Sequence, residues 1–218
     1  MRRSSVRDVD ASTEELRRAH DAIAELYAER LPEMYARMPV DRAVLDLFCT
    51  LALDAGREIA DVGCGPGALT PYLVARGLEP HGVDLSPEMV RVARRDRPGV
   101  PFEVADVRSL PFADASLAGV LGWYSLMYLA PEDRPRAFGE IARVVRPGGY
   151  VVVGYKQGDD SLRRGGRRVG VEFDIYWYSA EEVENRITDA GLRVVFRAGR
   201  PAGEFDEQPQ GYVIAQRG

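Results

Sequence analysis

Cysteine is scarce in this chain of 218 residues: Cys49 and Cys64 are the only two. Two thiols make neither a disulfide framework nor a zinc-ligand set, so a reducing cytoplasm is the expected compartment. Histidine is equally scarce, with only His20 and His81, which leaves few candidates for a general base. Lys156 is the only lysine; every other cationic side chain is arginine. No run reaches the roughly 18 apolar residues that a membrane helix requires. The opening Met1-Arg2-Arg3-Ser4-Ser5-Val6-Arg7-Asp8 leads into no apolar h-region, which argues against a secretory signal. An excess of positive charge is also missing. The net charge is −5, which argues against a nucleic-acid partner. No repeat or low-complexity tract occurs. What is present is 45% hydrophobic and 29% charged residues, enough apolar material for a core and ordinary for one soluble α/β domain with a modest elaboration.

Residues 1–11 are polar and read as frayed. Ser12-Thr13-Glu14-Glu15 is a capping box, predicting an amphipathic helix to about Arg30 with Leu16, Ala19, Ile23, Leu26 and Tyr27 on one face. A second helix is expected after Asp41, closed by Gly56. Strands are predicted at Glu58–Val62, Pro80–Asp84, Phe102–Val104, Leu117–Leu121 and Tyr150–Val153. Between them lie helices carrying Leu69, Leu73 and Val74, then Pro87 to Asp96 with Ser86 as N-cap, then Phe138 to Val145 with Asp133 as cap and Arg146-Pro147-Gly148-Gly149 as stop. This alternation predicts a mainly parallel sheet covered on both faces. The tail reads differently: an alternating strand over 171–178, a helix from the Ser179–Glu182 capping box to Gly191, and strands at Arg193–Phe196 and Tyr212–Ala215 forming an antiparallel hairpin.

The segment Glu58-Ile59-Ala60-Asp61-Val62-Gly63-Cys64-Gly65-Pro66-Gly67 runs an apolar strand into G-x-G-x-G and then a helix. Glycines at such a crossing let the backbone approach a ligand lying over the strand ends; the same turn can also be a mere tight connection. Two acids sharpen the reading. Asp84 ends the second strand, where a carboxylate can accept both hydroxyls of a ribose, and Asp106 follows the third strand, where an adenine would sit.

Taken with Gly82-Val83-Asp84-Leu85-Ser86-Pro87-Glu88-Met89, with Ala105-Asp106-Val107 and Leu110-Pro111-Phe112, and with Arg143-Val144-Val145-Arg146-Pro147-Gly148-Gly149, the sequence resembles the class I S-adenosylmethionine-dependent methyltransferases, in particular the small "type 11" group of small-molecule and secondary metabolism. The match is strong over residues 20–155. The resemblance implies a doubly wound, Rossmann-like seven-stranded sheet with an antiparallel last strand and an N-terminal helical lid. It implies S-adenosylmethionine as cofactor, leaving S-adenosylhomocysteine. Gly63, Gly65 and Gly67 would approach its methionine and ribose, Asp84 the ribose hydroxyls, Leu85 and Met89 the adenine face, and Asp106 and Val107 the adenine edge. Asp61 and Gly122 would face the methionine ammonium. The lid pattern Tyr-Asp-x-x-Ala-x-x-Tyr appears as His20-Asp21-Ala22-Ile23-Ala24-Glu25-Leu26-Tyr27. Tyr27 is therefore a cofactor or acceptor contact, and His20 is either lid packing or the base.

Methyl transfer requires alignment, exclusion of water and, for a protonated acceptor, a base. No His/Cys/Asp/Glu cluster has metal-ligand spacing, so no metal is expected. After the fourth strand stands Gly122-Trp123-Tyr124-Ser125-Leu126-Met127-Tyr128, without the Asn/Asp-Pro-Pro-Tyr of amino-methylating enzymes on nucleic acids. Tyr128 stands where many relatives carry histidine, which leaves His20, Tyr27 and Tyr128 as catalytic candidates. His81 lies on the adenosine side and reads as structural. Glu172, Asp174, Tyr176 and Tyr178 share one side of the tail strand and Val171, Phe173, Ile175 and Trp177 the other. Trp123, Tyr124, Tyr155, Tyr176 and Tyr178 are the candidate acceptor-pocket residues. Arg163-Arg164-Gly165-Gly166-Arg167-Arg168 reads as a solvated loop or a site for an acidic acceptor.

The expected organisation is one domain over 1–218: a helical lid at 1–55, a cofactor core at 56–155, and an acceptor-side insertion, helix and hairpin at 156–218. The expected partner is a small-molecule methyl acceptor, without nucleic acid or membrane, and a homodimer is left open. Rival readings are a nicotinamide-dependent oxidoreductase, whose glycine spacing differs, and a non-catalytic cofactor-binding protein on the same fold.

Overall fold

The computed structural model describes residues 5–204 and 206–218, with side chains from residue 11 onward. The part of the expected frayed segment at residues 1–4 lies outside the described residues; from Ser5 the backbone is helical. Helix α1 spans Ser5–Ala36. The Ser12–Glu15 box therefore does not start the helix. Glu14 spends its carboxylate on Arg17 at 2.6 Å and Arg18 at 2.7 Å, i,i+3 and i,i+4 pairs that carry the helix through the box. Its end is held past Pro32 by Tyr35, which packs on the α2 cluster. Helix α2, Pro39–Ala55, begins before Asp41, with Pro39 in the first turn; Gly56 closes it, donating its N–H to Ala52.

The central sheet holds β1 (Glu58–Val62), β2 (Glu79–Asp84), β3 (Phe102–Val104), β4 (Leu117–Trp123), β5 (Val145–Lys156), β8 (Leu192–Arg200) and β9 (Gln210–Arg217). Their order is β3-β2-β1-β4-β5-β9-β8, with β9 antiparallel to both neighbours and the other pairings parallel. The expected seven-stranded sheet with an antiparallel last strand is present. β4 is buried along its whole length, the pattern of a strand covered on both faces. One face is covered by Phe138 and Ile141 of α5 (Arg134–Val144) with Val183 and Ile187 of α6 (Ala180–Asp189). On the other face, Leu45 and Phe48 of α2 pack with Leu73 of α3 (Thr70–Ala75). Of the apolar residues read in this helix, Leu73 is buried and Val74 is 47% exposed.

Helix α4, Pro87–Asp96, has the predicted bounds, and Ser86 Oγ accepts from the Met89 N–H at 3.1 Å. Asp133 precedes α5 but makes no cap bond, because its carboxylate pairs with Arg108 at 3.0 Å. The stop sequence 146–149 is not a loop. β5 starts at Val145, and a register shift between Leu117 and Gly119 of β4 absorbs the glycines. The basic run, read as a solvated loop or a site for an acidic acceptor, forms β6 (Leu162–Gly165) and a 3-10 turn at Arg167–Val169; β6 pairs with β7 (Phe173–Tyr176) in a separate two-stranded sheet. β7 is the tail strand, shorter than its predicted span.

The chain steps outward from β1 through β2 to β3, then returns to place β4 on the other side of β1. This reversal opens a crevice at the carboxyl ends of β1 and β4. Helix α1 lies over it, tied down by Asp21, whose Oδ1 accepts from Ser86 Oγ at 2.6 Å and from the Glu88 N–H at 3.2 Å.

Candidate active site

A cavity of about 790 Å³ fills the crevice. Its floor is the turn after β1, its walls are the ends of β2, β4 and β5, and its roof is α1 with the β6–β7 sheet. At the turn, Gly63, Gly65 and Gly67 all have positive φ, which L side chains rarely adopt. Their surroundings differ. A Cβ on Gly63 would lie 2.2 Å from Ser125 Cβ, so this glycine lets the β1 and β4 turns meet; Ser125 Oγ then donates to the Val62 carbonyl at 2.6 Å. A Cβ on Gly65 would meet nothing nearer than Met89 Sδ at 4.0 Å, because Gly65 fronts the cavity. Gly67 does not line the cavity; a Cβ there would press on Phe102 at 3.1 Å.

Two carboxylates stand beside this turn. Asp84 Oδ2 accepts from the Gly65 N–H at 2.8 Å and Oδ1 from the Ser86 N–H at 2.9 Å, so the acid shapes the turn and keeps further lone pairs. Burial raises its carboxyl pKa, against those two donors and the nearby His20. Asp61 is 3% exposed. Burial, then the Asp84 charge, push its carboxyl up to about 7 with no donor opposing them. It is an acid waiting for a cation.

Asp106 also lines the cavity, but its oxygens are engaged. Arg108 reaches Oδ2 at 2.5 Å and its N–H reaches Oδ1 at 2.8 Å. Burial works to raise this carboxyl, and the Arg108 donors hold it below the usual range. Arg108 also contacts Thr13 Oγ1 of α1 at 3.4 Å. It thus links lid and floor, a role unread in the sequence although it stands two residues from Asp106. Leu85, Met89 and Val107 line the same end.

On the roof, His20 sits among aromatics, with ring centroids 5.1 Å from both Tyr128 and Phe173 and 6.3 Å from Tyr27. His20 Nδ1 lies 2.9 Å from the Leu16 carbonyl. A carbonyl only accepts, so Nδ1 carries the hydrogen, which leaves Nε2 as the ring nitrogen able to accept one. Burial raises the hydroxyl pKa of Tyr27 and Tyr128, so both stay protonated donors and neither is a base at neutral pH. Tyr35, half-buried, also lines the cavity.

At the β4 end, Trp123 and Tyr124 line the cavity as expected. Tyr124 has φ +57 and is pinned: its hydroxyl donates to Asp41 Oδ1 at 2.8 Å. Tyr212 and Arg200 hold Asp41 Oδ2, each at 2.9 Å. This buried network explains why Asp41, 1% exposed, sits inside the first turn of α2.

Other expected contacts fall elsewhere. Gly122 is behind the wall, packed on Leu126. Tyr155 points away, over Gly211. Tyr176 and Tyr178 stack on the buried Arg134, at 4.8 Å and 4.3 Å, and the Tyr178 hydroxyl donates to Leu126 O at 2.6 Å. The opposite side of the tail strand, Phe173, Ile175 and Trp177, faces the cavity. His81 is away from it, with its ring 5.0 Å from Phe112. Unforeseen wall residues include Lys156 and Gln208.

Residues 59–149 match the family model of the methyltransferase domain. An O-methyltransferase of Penicillium expansum is 32% identical over 164 residues, covering 71% of this chain and 59% of the relative. A trans-aconitate 2-methyltransferase of Methylobacterium nodulans is 40% identical over 118 residues, covering 51% and 43%. The chain thus spans about half the length of these relatives. Among solved structures, the magnesium protoporphyrin IX methyltransferase of Synechocystis, with S-adenosylmethionine bound, superposes with a TM-score of 0.70 over 95% of this chain and 97% of that one, at 15% identity. That likeness shows the fold.

Proposed function

From the match of residues 59–149 to the methyltransferase-domain family, and from the order of the sheet, we propose that the chain transfers a methyl group from S-adenosylmethionine to a small-molecule acceptor. The observation that carries this reading is the pair of carboxylates, the buried Asp61 and the half-buried Asp84, flanking a glycine turn open to the cavity. The donor set fits the cofactor. Asp61 lacks a cation, Asp84 has lone pairs left for hydroxyls, and the space before Gly65 admits a ligand where a side chain would stand.

The residues that hold the cofactor in this reading are Asp61, Gly63, Gly65, Asp84, Leu85, Met89, Asp106 and Val107, with Tyr27 above them. When bound, it supplies a methyl group activated on a sulfonium. Gly67 and Gly122 act from behind, by letting the turn and the β4 end pack. Asp106 presents an edge already tied to Arg108, so the Val107 backbone carries more of the adenine recognition than the carboxylate does.

On the acceptor side, Trp123, Tyr124, Tyr128, Phe173 and Ile175 wall off water, which strengthens every polar contact inside. His20 Nε2 takes the proton of an acceptor that carries one; Tyr27 and Tyr128 donate hydrogen bonds that orient it. Asp21 keeps the roof closed through Ser86, and Arg17 holds the other oxygen of Asp21 at 2.5 Å. Relatives named for O-methylation and for trans-aconitate support a small metabolite as the acceptor, and the net charge of −5 disfavours nucleic acid. No helix among the described residues is long and apolar enough to cross a membrane, and a cytoplasmic setting is part of this reading.

Titration calorimetry with S-adenosylmethionine, S-adenosylhomocysteine and NAD in parallel tests it. Binding of the first two and not the third is expected. NAD binding alone would move the chain to the oxidoreductases.

A further inference from the structure

The only lysine of the chain stands in the cavity. Lys156 ends β5, is half-buried, and its ammonium makes no hydrogen bond or ion pair with any described residue. The two acids nearest in charge are already taken. Asp206 is held by Arg200 at 2.6 Å, and Glu207 by Arg168. Lys156 is therefore a surplus positive charge on an enclosed wall.

Two of its neighbours are donors without acceptors among the described residues, beside one buried acceptor, Gln210 Oε1, without a donor. Trp123, 4% exposed, leaves its indole N–H unpartnered, and Gln208, 3% exposed, leaves its carboxamide nitrogen unpartnered. Register brings them to the lysine. Trp123 pairs with Gly154, two residues before Lys156 and on the same face of β5, and its ring lies over Gly154. Lys156 pairs with Gln210, whose side chain donates to the Gln208 carbonyl at 2.9 Å. Arg163 Nε, on the same cavity, is a further buried donor without a partner. Buried donors left unmade are costly, so this wall calls for a ligand rich in acceptors.

We propose that the methyl acceptor carries a carboxylate, bound by the Lys156 ammonium beside the Trp123 and Gln208 N–H groups. The assignment rests on the methyl-transfer reading above. One uncompensated cation matches one negative charge, and a carboxylate offers two oxygens with four lone pairs to the donors. A phosphate group would bring a second charge to a wall where Lys156 alone lacks a partner; Arg30, which lines the same cavity without an ion pair among the described residues, stands on α1.

The lone lysine makes the test specific. Reductive methylation with 13C-formaldehyde labels Lys156 and the terminal amine alone, and dimethyl-lysine keeps its charge. The labelled protein, saturated with S-adenosylhomocysteine, is titrated with benzoate, phenylacetate, succinate and citrate, with benzamide and phenylacetamide as neutral counterparts, and with inorganic phosphate. The expected result is a saturable shift of the Lys156 resonance by at least one carboxylate and by neither amide nor phosphate. Lys156→Gln should weaken that carboxylate at least tenfold in calorimetry, with S-adenosylhomocysteine affinity within twofold. Any of three results overturns the proposal: no carboxylate moves the resonance, phosphate moves it as well as a carboxylate does, or Lys156→Gln binds the carboxylate undiminished. Failure of S-adenosylhomocysteine to bind overturns the methyl-transfer reading instead, and the carboxylate titration repeated without it still reports whether Lys156 is an anion site.

Discussion

Asparagine at position 61 should make the unliganded protein more stable, and more so as pH rises. Asp61 is buried, and its carboxyl is pushed from its ordinary 3.8 up to about 7. Between those values the folded protein binds more protons than the unfolded chain, so stability falls as pH climbs from 3.8 to about 7 and is level above it. The full loss is roughly 4 kcal/mol, taking about 1.4 kcal/mol for each tenfold change in proton affinity. Asp61→Asn keeps the shape and removes the titration. Its advantage over the parent should therefore grow by about 2–3 kcal/mol between about pH 5 and about pH 8. Urea unfolding of both proteins at the two pH values, without ligand, measures the difference. The counterpart is in binding. A ligand cation drives Asp61 to its charged form, so S-adenosylmethionine affinity of the parent should rise with pH up to about 7, while Asp61→Asn binds weakly at all pH values. A stability gap that does not change with pH, or one that widens toward acid, would refute the reasoning.

Asp84→Ala strands the Gly65 and Ser86 N–H groups and removes the acceptor for ribose hydroxyls; S-adenosylmethionine should bind at least about tenfold more weakly in a protein that still folds, as calorimetry would report. Gly65→Val, at φ +54 and open to the cavity, should abolish cofactor binding while the far-UV dichroism persists, and retained binding would reduce the turn to a connector. His20→Ala should lower turnover on a hydroxyl or amine acceptor roughly 100-fold with cofactor affinity unchanged; full activity would mean that the bound acceptor needs no base.

Local signals located most of the sheet. β1 and β3 have the predicted bounds, and α4 begins where Ser86 and Pro87 said it would. These segments carry their instructions within a few residues: an apolar run ending at glycine, or a cap followed by proline. The misreadings occur where a distant partner decides. Glu15 looks like the acid of the Ser12–Glu15 capping box, but Arg164, 149 residues later, claims it at 2.6 Å and the helix runs on. Asp133 looks like a cap, but Arg108, 25 residues earlier, takes its carboxylate. The tail strand shows the same limit. Alternation sorted its residues into two faces correctly, yet both faces hold aromatics. Arg134, buried at 2% exposure, settles the choice by drawing Tyr176 and Tyr178 over its guanidinium, which turns Phe173 and Ile175 to the cavity. A buried arginine gives little local sign of its burial.

The polarity of the cavity was half legible for a related reason. An acid that ends a parallel strand stands out, so Asp84 is readable in the sequence, whereas Asp61, one residue inside β1, enters only through the family resemblance. The opposing wall is defined by what its residues lack. Lys156 is notable only because Asp206 and Glu207 are bound by Arg200 and Arg168, pairings that depend on the β8–β9 hairpin closing beside β5. Together the two walls impose an order on any pair of ligands. The ends of β1 and β2 present carboxylates with no cation, which favours a positively charged group there. The ends of β4 and β5 present unpartnered N–H donors and one ammonium, which favours a negatively charged group there. A cationic methyl donor and an anionic acceptor would each be repelled from the other's place. The charge arrangement then aligns the two reactants as well as binding them, and a chain with Lys156→Glu should lose discrimination in acceptor binding before it loses the cofactor.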